Sequence, residues 1–374
     1  MTEDFPEPDC MEGAPHPRHT LHLIGQVKAE AAFLQAFNAG RLHHGWLISG
    51  PRGVGKATLA WRLARFLLAT PEDDGGMFAP PAPNSLDVTA GHSVLRRLSA
   101  LSEPRLFLLR RGLNDTGKAM SNDLRVSEVR RMQQFFALSA ADGGRRVAII
   151  DCADDMTVGA ANALLKLLEE PPAKVTFLVI AHQPARLLPT IRSRCRELRL
   201  GPLSAENLAD ALTQAGGDVA PQNQTALAEL AGGSVGEAFA LTNLDGLKLY
   251  DDLIRLFSTL PRLDRPQAQR LAEQGAGKGA EAQFELIVTL LDLFLARLAR
   301  AGTTGTVPPE AARGEAALIA RLSPDPARAR LWADLAQHLG VRARRGKAVN
   351  LDPAALLMDM VLKIDETAGL LLQR

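Results

Sequence analysis

Cysteine, tyrosine and tryptophan are scarce in this sequence. Its 374 residues include three cysteines, one tyrosine and three tryptophans. Cys10, Cys152 and Cys195 are far apart and form no Cys-x-x-Cys pair, so the sequence supports neither a disulfide framework nor a zinc site. With so little tyrosine and tryptophan, we do not expect a surface on which nucleic-acid bases stack.

The chain also lacks long apolar segments and an excess of charge of either sign. No run of about 18 apolar residues occurs, and the N-terminal stretch is acidic and proline-rich, unlike a secretory signal. The 43 basic and 42 acidic residues give a net charge of +1, so any contact with nucleic acid requires a local cluster. These features predict a cytoplasmic protein with no membrane partner.

Length and residue pattern predict a disordered leader followed by three domains. Residues 1–17 are rich in Pro, Glu and Asp and show no periodicity. Residues 18–200 alternate apolar runs with amphipathic stretches, which predicts an α/β domain with a parallel sheet. Residues 201–245 are typical of a small helical lid domain, and residues 246–374 of a larger all-α domain rich in Leu and Ala.

Four short apolar runs within the α/β domain predict buried strands. A proline- and glycine-rich stretch, 70–94, interrupts them and predicts a mobile loop or insertion. The predicted strands are "GWLIS" (45–49), "RLFLL" (105–109), "RRVAIID" (145–151) and "KVTFLVIA" (174–181).

The segment "GPRGVGKAT" (50–58) is typical of a phosphate-binding loop with one departure. Glycines let backbone N–H groups approach phosphate, and Lys56 can neutralise its oxygens. A working loop has a Ser or Thr hydroxyl on magnesium after the lysine, whereas this chain has Ala57. The candidate nucleotide-binding residues of this degenerate loop are Gly50, Gly53, Gly55, Lys56 and Thr58. The alternative is a glycine-rich turn that carries a surface lysine.

A second part of a nucleotide site is expected at the end of the third predicted strand. Asp151 stands where a carboxylate holds the metal, but Cys152 follows it where a glutamate activates water in many ATPases. A thiol does not replace that carboxylate as a general base. The alternative is that Asp151 only caps the next turn.

Two strings carry a specific resemblance to a known family. They are "NALLKLLEEPP" (162–172) and "SRC" (193–195). On these strings the chain resembles the bacterial clamp-loader subunits of the AAA+ family, and the order of motifs from residue 20 to about 240 fits that family. The resemblance implies an AAA+ P-loop domain, a helical lid and a C-terminal collar domain that forms a ring with neighbouring subunits.

The same resemblance implies a role for Arg194, with Ser193 and Cys195 as the rest of the motif. Arg194 would point toward the ATP held by the neighbouring subunit and complete that site in trans as an arginine finger. A guanidinium suits this task because it is planar and always charged. Without the motif, Arg194 would be read as one surface arginine among its basic neighbours.

Departures from the active family members imply loss of hydrolysis. The position of the catalytic glutamate is Cys152, the first sensor position falls at Ala181 and His182, and Gly236 replaces the second sensor arginine. The expectation is therefore a largely non-hydrolysing subunit with no cofactor of its own or with ATP or ADP bound unused. The four-cysteine zinc module of many relatives is missing, so no metal is expected.

The partners implied by the family are the gamma/tau and delta subunits in a five-part ring, with the sliding beta clamp and primed-template DNA. The chain would then serve DNA replication at the nucleoid as a stator of the DNA polymerase III holoenzyme, without polymerase activity of its own. For direct DNA contact, the candidates are Arg125, Arg130 and Arg131 around a helix N-terminus, although such a charged helix face is usually just solvated.

Two other functions stay open at this point. Lys56 and Asp151 permit a self-sufficient, gamma-like ATPase, which Ala57 and Cys152 oppose. A general AAA+ recombination or repair factor is the third possibility, and it would form a homo-hexamer.

Overall fold

Five parallel strands form one sheet in the first part of the chain. A computed structural model describes residues 7, 13–71, 81–113, 121, 123–137, 143–277 and 279–372. The sheet has the strand order β2-β3-β4-β1-β5. The strands are β1 (Gly45–Ser49), β2 (Leu106–Leu109), β3 (Arg146–Ile150), β4 (Val175–Ala181) and β5 (Arg196–Arg199). The four predicted strands are confirmed within one residue at each end, and β5 was not predicted.

The strand register aligns the carboxyl ends of the central strands. Ser49, the last residue of β1, lies beside Ala181, the last residue of β4. Ile150 at the end of β3 lies beside Val179. Loops that follow β1, β3 and β4 therefore meet at one edge of the sheet, which is where parallel α/β sheets build their binding sites.

Helices cover both faces of this sheet, as expected for a parallel sheet. One face packs against helices α1 and α2, where the rings of Phe33 and Trp46 lie 4.8 Å apart. The other face packs against α4 and α5 through residues such as Met132 and Leu164. The helices of this part are α1 (Val27–Asn38), α2 (Lys56–Ala69), α3 (Ser93–Ser99), α4 (Val126–Ala137), α5 (Val158–Glu169), α6 (Pro189–Arg192) and α7 (Ala205–Gln214). This architecture confirms the predicted α/β class.

Residue contacts divide the chain into two compact units. The first unit comprises residues 1–218 with 234–236, and the second comprises 219–233 with 237–374. The division into three domains at residues 200 and 245 stays a prediction. Most of the predicted leader, including Cys10, lies outside the described residues, as do residues 72–80 of the predicted loop.

The second unit consists of helices, as predicted for the C-terminal region. The long helices α12 and α14 pack side by side, and the stacked rings of Phe257 and Phe294 lie 5.0 Å apart in its core. Helix α9 starts in the segment 234–236 of the first unit and continues into the second. The helices are α8 (Gln224–Ala231), α9 (Val235–Asn243), α10 (Gly246–Ser258), α11 (Arg265–Gln274), α12 (Glu281–Thr304), α13 (Glu315–Leu322), α14 (Pro326–Ala348) and α15 (Pro353–Leu372). Among the described residues, no helix is long and apolar enough to cross a membrane.

Candidate functional site

The glycine-rich loop lies at the carboxyl end of β1 and leads directly into α2. Gly50, Gly53 and Gly55 have φ angles of 143°, 70° and 96°. L-residues with side chains rarely adopt such angles, so the glycines are needed for the path of the loop. Helix α2 begins at Lys56, with Gly55 at its N-cap. The predicted strand, loop and helix are therefore all present.

Lys56 is buried inside its own loop rather than exposed at the surface. Its side chain is 3% exposed, and Nζ donates to the carbonyl oxygen of Gly50 at 2.8 Å and to that of Pro51. Burial lowers the pKa of Lys56 to about 8, although Asp154, Cys152 and Asp151 oppose the shift. Lys56 is therefore not a surface lysine, whereas nucleotide binding by the loop stays a prediction.

The segment 234–236 closes over the loop at Gly53. The backbone N–H of Val235 donates to the carbonyl oxygen of Gly53 at 2.9 Å. A Cβ atom at Gly53 would lie 2.1 Å from the Ser234 hydroxyl and 2.8 Å from the backbone nitrogen of Gly236. Gly236, where the family resemblance implies a lost sensor arginine, thus lies beside the loop and has no side chain to reach a phosphate.

The ends of β3 and β4 bring a second group of polar residues to the same edge. Asp151 directly follows β3, and Cys152 has a φ angle of 58°. Asp154 accepts hydrogen bonds from the backbone N–H groups of His182, at 3.2 Å, and Gln183, at 3.0 Å. These bonds tie the turn after β3 to the turn after β4. Asp154 was not among the predicted site residues, because its role depends on partners 28 and 29 residues further along the chain.

Cys152 and His182 meet within this group and are both neutral near pH 7. The Cys152 sulfur lies 3.4 Å from His182 Nε2. Burial, with a contribution from Asp151, raises the pKa of the Cys152 thiol to about 12. Burial, with a contribution from the Lys56 cation, lowers the pKa of His182 to about 4. Neither group is a strong base or nucleophile in this state.

The first turn of α2 does not fit a magnesium-bound nucleotide well. Ala57 has no oxygen and packs partly against the hydrophobic core. Thr58 is half-buried one residue further on, which turns its side chain by about 100° around the helix. Within the described ranges, no group of three or more His, Cys, Asp or Glu side chains is arranged to hold a metal ion.

Arg194 lies at the opposite edge of the sheet from the loop. Its carbonyl oxygen would be 3.1 Å from a Cβ atom at Gly45, the first residue of β1, and β5 begins two residues later. Gly50 follows the last residue of β1, so the two sites are separated by the length of that strand, roughly 16 Å at about 3.3 Å per residue. The structure therefore does not bring Arg194 together with Lys56 and Asp151.

The three residues of the "SRC" string have distinct local contacts. The Ser193 hydroxyl and Arg194 Nη1 both donate to the carbonyl oxygen of Thr190, at 3.1 and 3.0 Å. Arg194 Nη2 also lies 2.9 Å from Glu169 Oε1, and the arginine side chain is 37% exposed. Cys195 packs against the core, and burial raises the pKa of its thiol to about 12. Cys195 thus anchors the turn that presents Arg194.

The three arginines predicted to contact DNA lie just before α4 and on its first half. Arg125 precedes the helix and is half-buried, while Arg130 and Arg131 are exposed. Arg131 Nη1 lies 3.0 Å from Glu128 Oε2. The start of α4 is held beside the turn after β3, because Leu124 accepts a hydrogen bond from the N–H of Thr157 at 3.1 Å.

Comparisons with known proteins match this sequence to subunits of DNA polymerase III. Residues 25–204 match the family model described as "DNA polymerase III, delta subunit". DNA polymerase III subunit delta' of Pseudomonas aeruginosa is 37% identical over 152 residues, which is 41% of each chain. The same subunit of Escherichia coli is 29% identical over 343 residues, covering 88% of this chain and 91% of that protein. DNA polymerase III subunit tau of Escherichia coli is 29% identical over 294 residues, covering 75% of this chain and 41% of that protein.

The match to the first of these relatives thus spans less than half of its length. A solved gamma subunit-related protein from Thermotoga maritima aligns with 90% of this chain and 99% of that chain, at 16% identity and a TM-score of 0.38. Because that score is low, the assignment rests on the family match, the curated relatives, and the parallel sheet with its glycine-rich loop after β1. Over these ranges the chain is similar to the delta' and tau subunits of DNA polymerase III, and its first unit has the predicted α/β fold with a parallel sheet.

Proposed function

We propose that this chain is the stator of a clamp loader and that Arg194 completes the ATP site of a neighbouring gamma/tau subunit. The observation that carries the proposal is the position of Arg194 at the amino edge of the sheet. Its own glycine-rich loop lies at the carboxyl edge, roughly 16 Å away by the length of β1. An arginine side chain is shorter than that separation, so Arg194 serves a phosphate only if another subunit brings it.

The chemistry asked of Arg194 is stabilisation of charge. In ATP hydrolysis, water attacks the γ-phosphorus while the bond to the bridging oxygen of ADP breaks, and negative charge spreads over the transferring group. A guanidinium has five N–H donors, and Arg194 uses two of its nitrogens in contacts with Thr190 and Glu169. The rest of the guanidinium, on a side chain 37% exposed, stays available for phosphate oxygens.

The chain's own loop supports the stator role because it fits hydrolysis poorly. Lys56 is held by loop carbonyl oxygens, and the hydroxyl that would hold magnesium is missing at Ala57. Cys152, which replaces the catalytic glutamate, is a neutral thiol. We infer that this loop either binds no nucleotide or holds ATP or ADP without using it, and that no zinc is involved.

The proposed assembly is a five-part ring with gamma/tau and delta subunits, held mainly by the helical second unit. ATP binding in the ring would tighten it around primed-template DNA, and hydrolysis would release the closed beta clamp. Arg125, Arg130 and Arg131 would contribute contacts to the DNA backbone. The competing proposal, a gamma-like ATPase, keeps Lys56 and Asp151 in its favour but requires another source of magnesium ligands.

The decisive experiment is a reconstituted loader that contains either this chain or its Arg194→Ala variant. The ATPase rate is measured with primed DNA and clamp, and gel filtration verifies assembly. Hydrolysis at the ATP site that Arg194 completes should fall by roughly 10³-fold or more. The total ATPase rate of the loader should then fall by the part that this site contributes. Arg192→Ala is the matched control, because Arg192 is exposed and only two residues away. An Arg194→Ala loader that assembles and hydrolyses ATP at the normal rate would refute the trans role.

A further inference from the structure

The string "NALLKLLEEPP" has two adjacent glutamates before its final prolines, and the proposed function does not use them. Helix α5 ends at Glu169, and Glu170 forms its C-cap before Pro171 and Pro172. Negative charge at a helix C-terminus is unfavourable, because the carbonyl ends of the helix already carry partial negative charge. Both glutamates therefore oppose the local electrostatics, and at least one needs a compensating partner.

Glu169 has that partner in Arg194. Glu169 Oε1 lies 2.9 Å from Arg194 Nη2, while Arg194 Nη1 donates to the carbonyl oxygen of Thr190 at 3.0 Å. Two acceptors on two different nitrogens hold the planar guanidinium in one orientation, which one acceptor would not do. The carboxylate and the guanidinium are 43% and 37% exposed, so the pair lies at the surface with its outer side accessible.

The backbone around this pair is held by tight packing. A Cβ atom at Gly45 would lie 3.1 Å from the Arg194 carbonyl oxygen and from the Cys195 sulfur, and 3.2 Å from Leu168 Cδ2. His44 Nε2 also lies 3.1 Å from the carbonyl oxygen of Leu168. The start of β1 therefore joins the end of α5 to the turn that carries Arg194. This packing fixes the distance between the backbone of Glu169 and the backbone of Arg194.

We propose that Glu169 is a positioning residue that orients the Arg194 guanidinium toward the nucleotide of the neighbouring subunit. The proposal rests on the proposed function of Arg194 and assigns no contact between Glu169 and nucleotide. Orientation matters because a side chain already held in its working geometry loses less freedom when the reaction complex forms. Glu169 would thus act on the catalytic rate, not on the affinity of the neighbour for ATP.

The hydrogen-bond acceptor and the negative charge of Glu169 can be tested separately. Glu169→Gln keeps an acceptor oxygen at the same reach but removes the charge, whereas Glu169→Ala removes both. If orientation is the role, glutamine rescues what alanine loses. Glu170→Ala is the matched control, because Glu170 is an exposed acid at the same helix end.

The test uses the assembled loader with gamma/tau, delta, clamp and primed DNA. We expect Glu169→Ala to slow turnover at the one site that Arg194 completes by at least about fivefold, so the total ATPase rate loses most of the part that this site contributes, while KM stays within about twofold because the neighbour's own loop binds the nucleotide. In Glu169→Gln and Glu170→Ala, turnover at that site should stay within about twofold of the unmodified loader. An exposed pair adds little to stability, so the thermal unfolding midpoint and gel-filtration profile should not change.

The outcomes separate this inference from the function on which it rests. If Arg194→Ala slows hydrolysis but Glu169→Ala does not, the positioning role is wrong and the arginine finger stands. If Glu169→Gln loses as much activity as Glu169→Ala, orientation by the acceptor is wrong. If Arg194→Ala itself has no effect, both proposals fail. Addition of Glu169→Ala to the Arg194→Ala loader should cause no further loss, since the two residues act as one unit.

Discussion

Lys56 Nζ donates a hydrogen bond of 2.8 Å to the carbonyl oxygen of Gly50, six residues earlier in the same loop. The cation that would neutralise a bound phosphate is thus held by the backbone of its own loop. The contact is partly buried and lies next to Asp151, Cys152 and Asp154, which oppose the lowering of the Lys56 pKa by burial. From this contact we derive predictions for how stability depends on pH and for how the loop binds nucleotide.

The buried Lys56 should make stability depend on alkaline pH. Burial lowers its pKa from 10.5 to about 8, so between these values the unfolded chain binds more protons than the folded chain. The free energy of unfolding then rises with pH from about 8 to 10.5 and gains on the order of 3 kcal/mol, which is fully present above the unfolded pKa and lost as pH falls through 8. Urea unfolding of the unmodified chain and Lys56→Met at pH 7 and 10 measures the difference. A constant gap between the two proteins would contradict the buried-charge account.

The purified chain alone should show no steady magnesium-dependent ATP hydrolysis. Ala57 offers no ligand to magnesium, and the thiol at Cys152 does not activate water. Nucleotide affinity, measured by calorimetry with and without magnesium, should not depend on the metal. The double variant Ala57→Thr, Cys152→Glu should gain magnesium dependence. Sustained hydrolysis by the unmodified chain, abolished in Lys56→Ala, would favour the gamma-like motor instead.

Arg297 should be the main polar support of the second unit. It is 3% exposed and pairs with Glu315, which is 0% exposed, at 2.6 Å, and with Glu229 at 3.0 Å. Arg297→Met leaves the Glu315 carboxylate buried without its cation, a change that costs about 3–5 kcal/mol. Arg300→Met on the same helix is exposed and should change the free energy of unfolding by less than about 0.5 kcal/mol. Equal effects of the two substitutions, measured by urea unfolding, would show that the buried network contributes little.

Removal of the three arginines at the start of α4 should make DNA binding less dependent on salt concentration. Each lost phosphate contact lowers the slope of log affinity against log salt by about 0.9. A loader that carries Arg125→Ala, Arg130→Ala and Arg131→Ala should therefore bind primed DNA with a slope reduced by up to about 2.7. The matched control replaces three exposed arginines of the second unit: Arg255, Arg300 and Arg342. An unchanged slope would mean that the α4 arginines only face solvent.

Three of the four strands that the sequence predicted are buried on both faces, and the fourth, β2, is mostly half-buried. β1, β3 and β4 are buried along their whole length, so each reads as a continuous apolar run. β5 was missed because it is a four-residue edge strand in which only Leu198 is buried. Helix α3 was missed because seven residues carry too little periodicity to distinguish it from the loop before it.

Features with a local signal could be predicted from the residues alone. These features are the glycines of the loop, the burial of the strands and the family strings. They depend on backbone freedom and side-chain hydrophobicity, which can be recognised from a few adjacent residues. Only the tertiary structure decided which polar groups meet: Asp154 with the amides after β4, and Glu169 with Arg194, 25 residues apart along the chain. It also placed Lys56 and Arg194 at opposite edges of one sheet. Such contacts depend on strand order and register, because a hydrogen bond needs atoms within about 3 Å, and no local pattern encodes that distance.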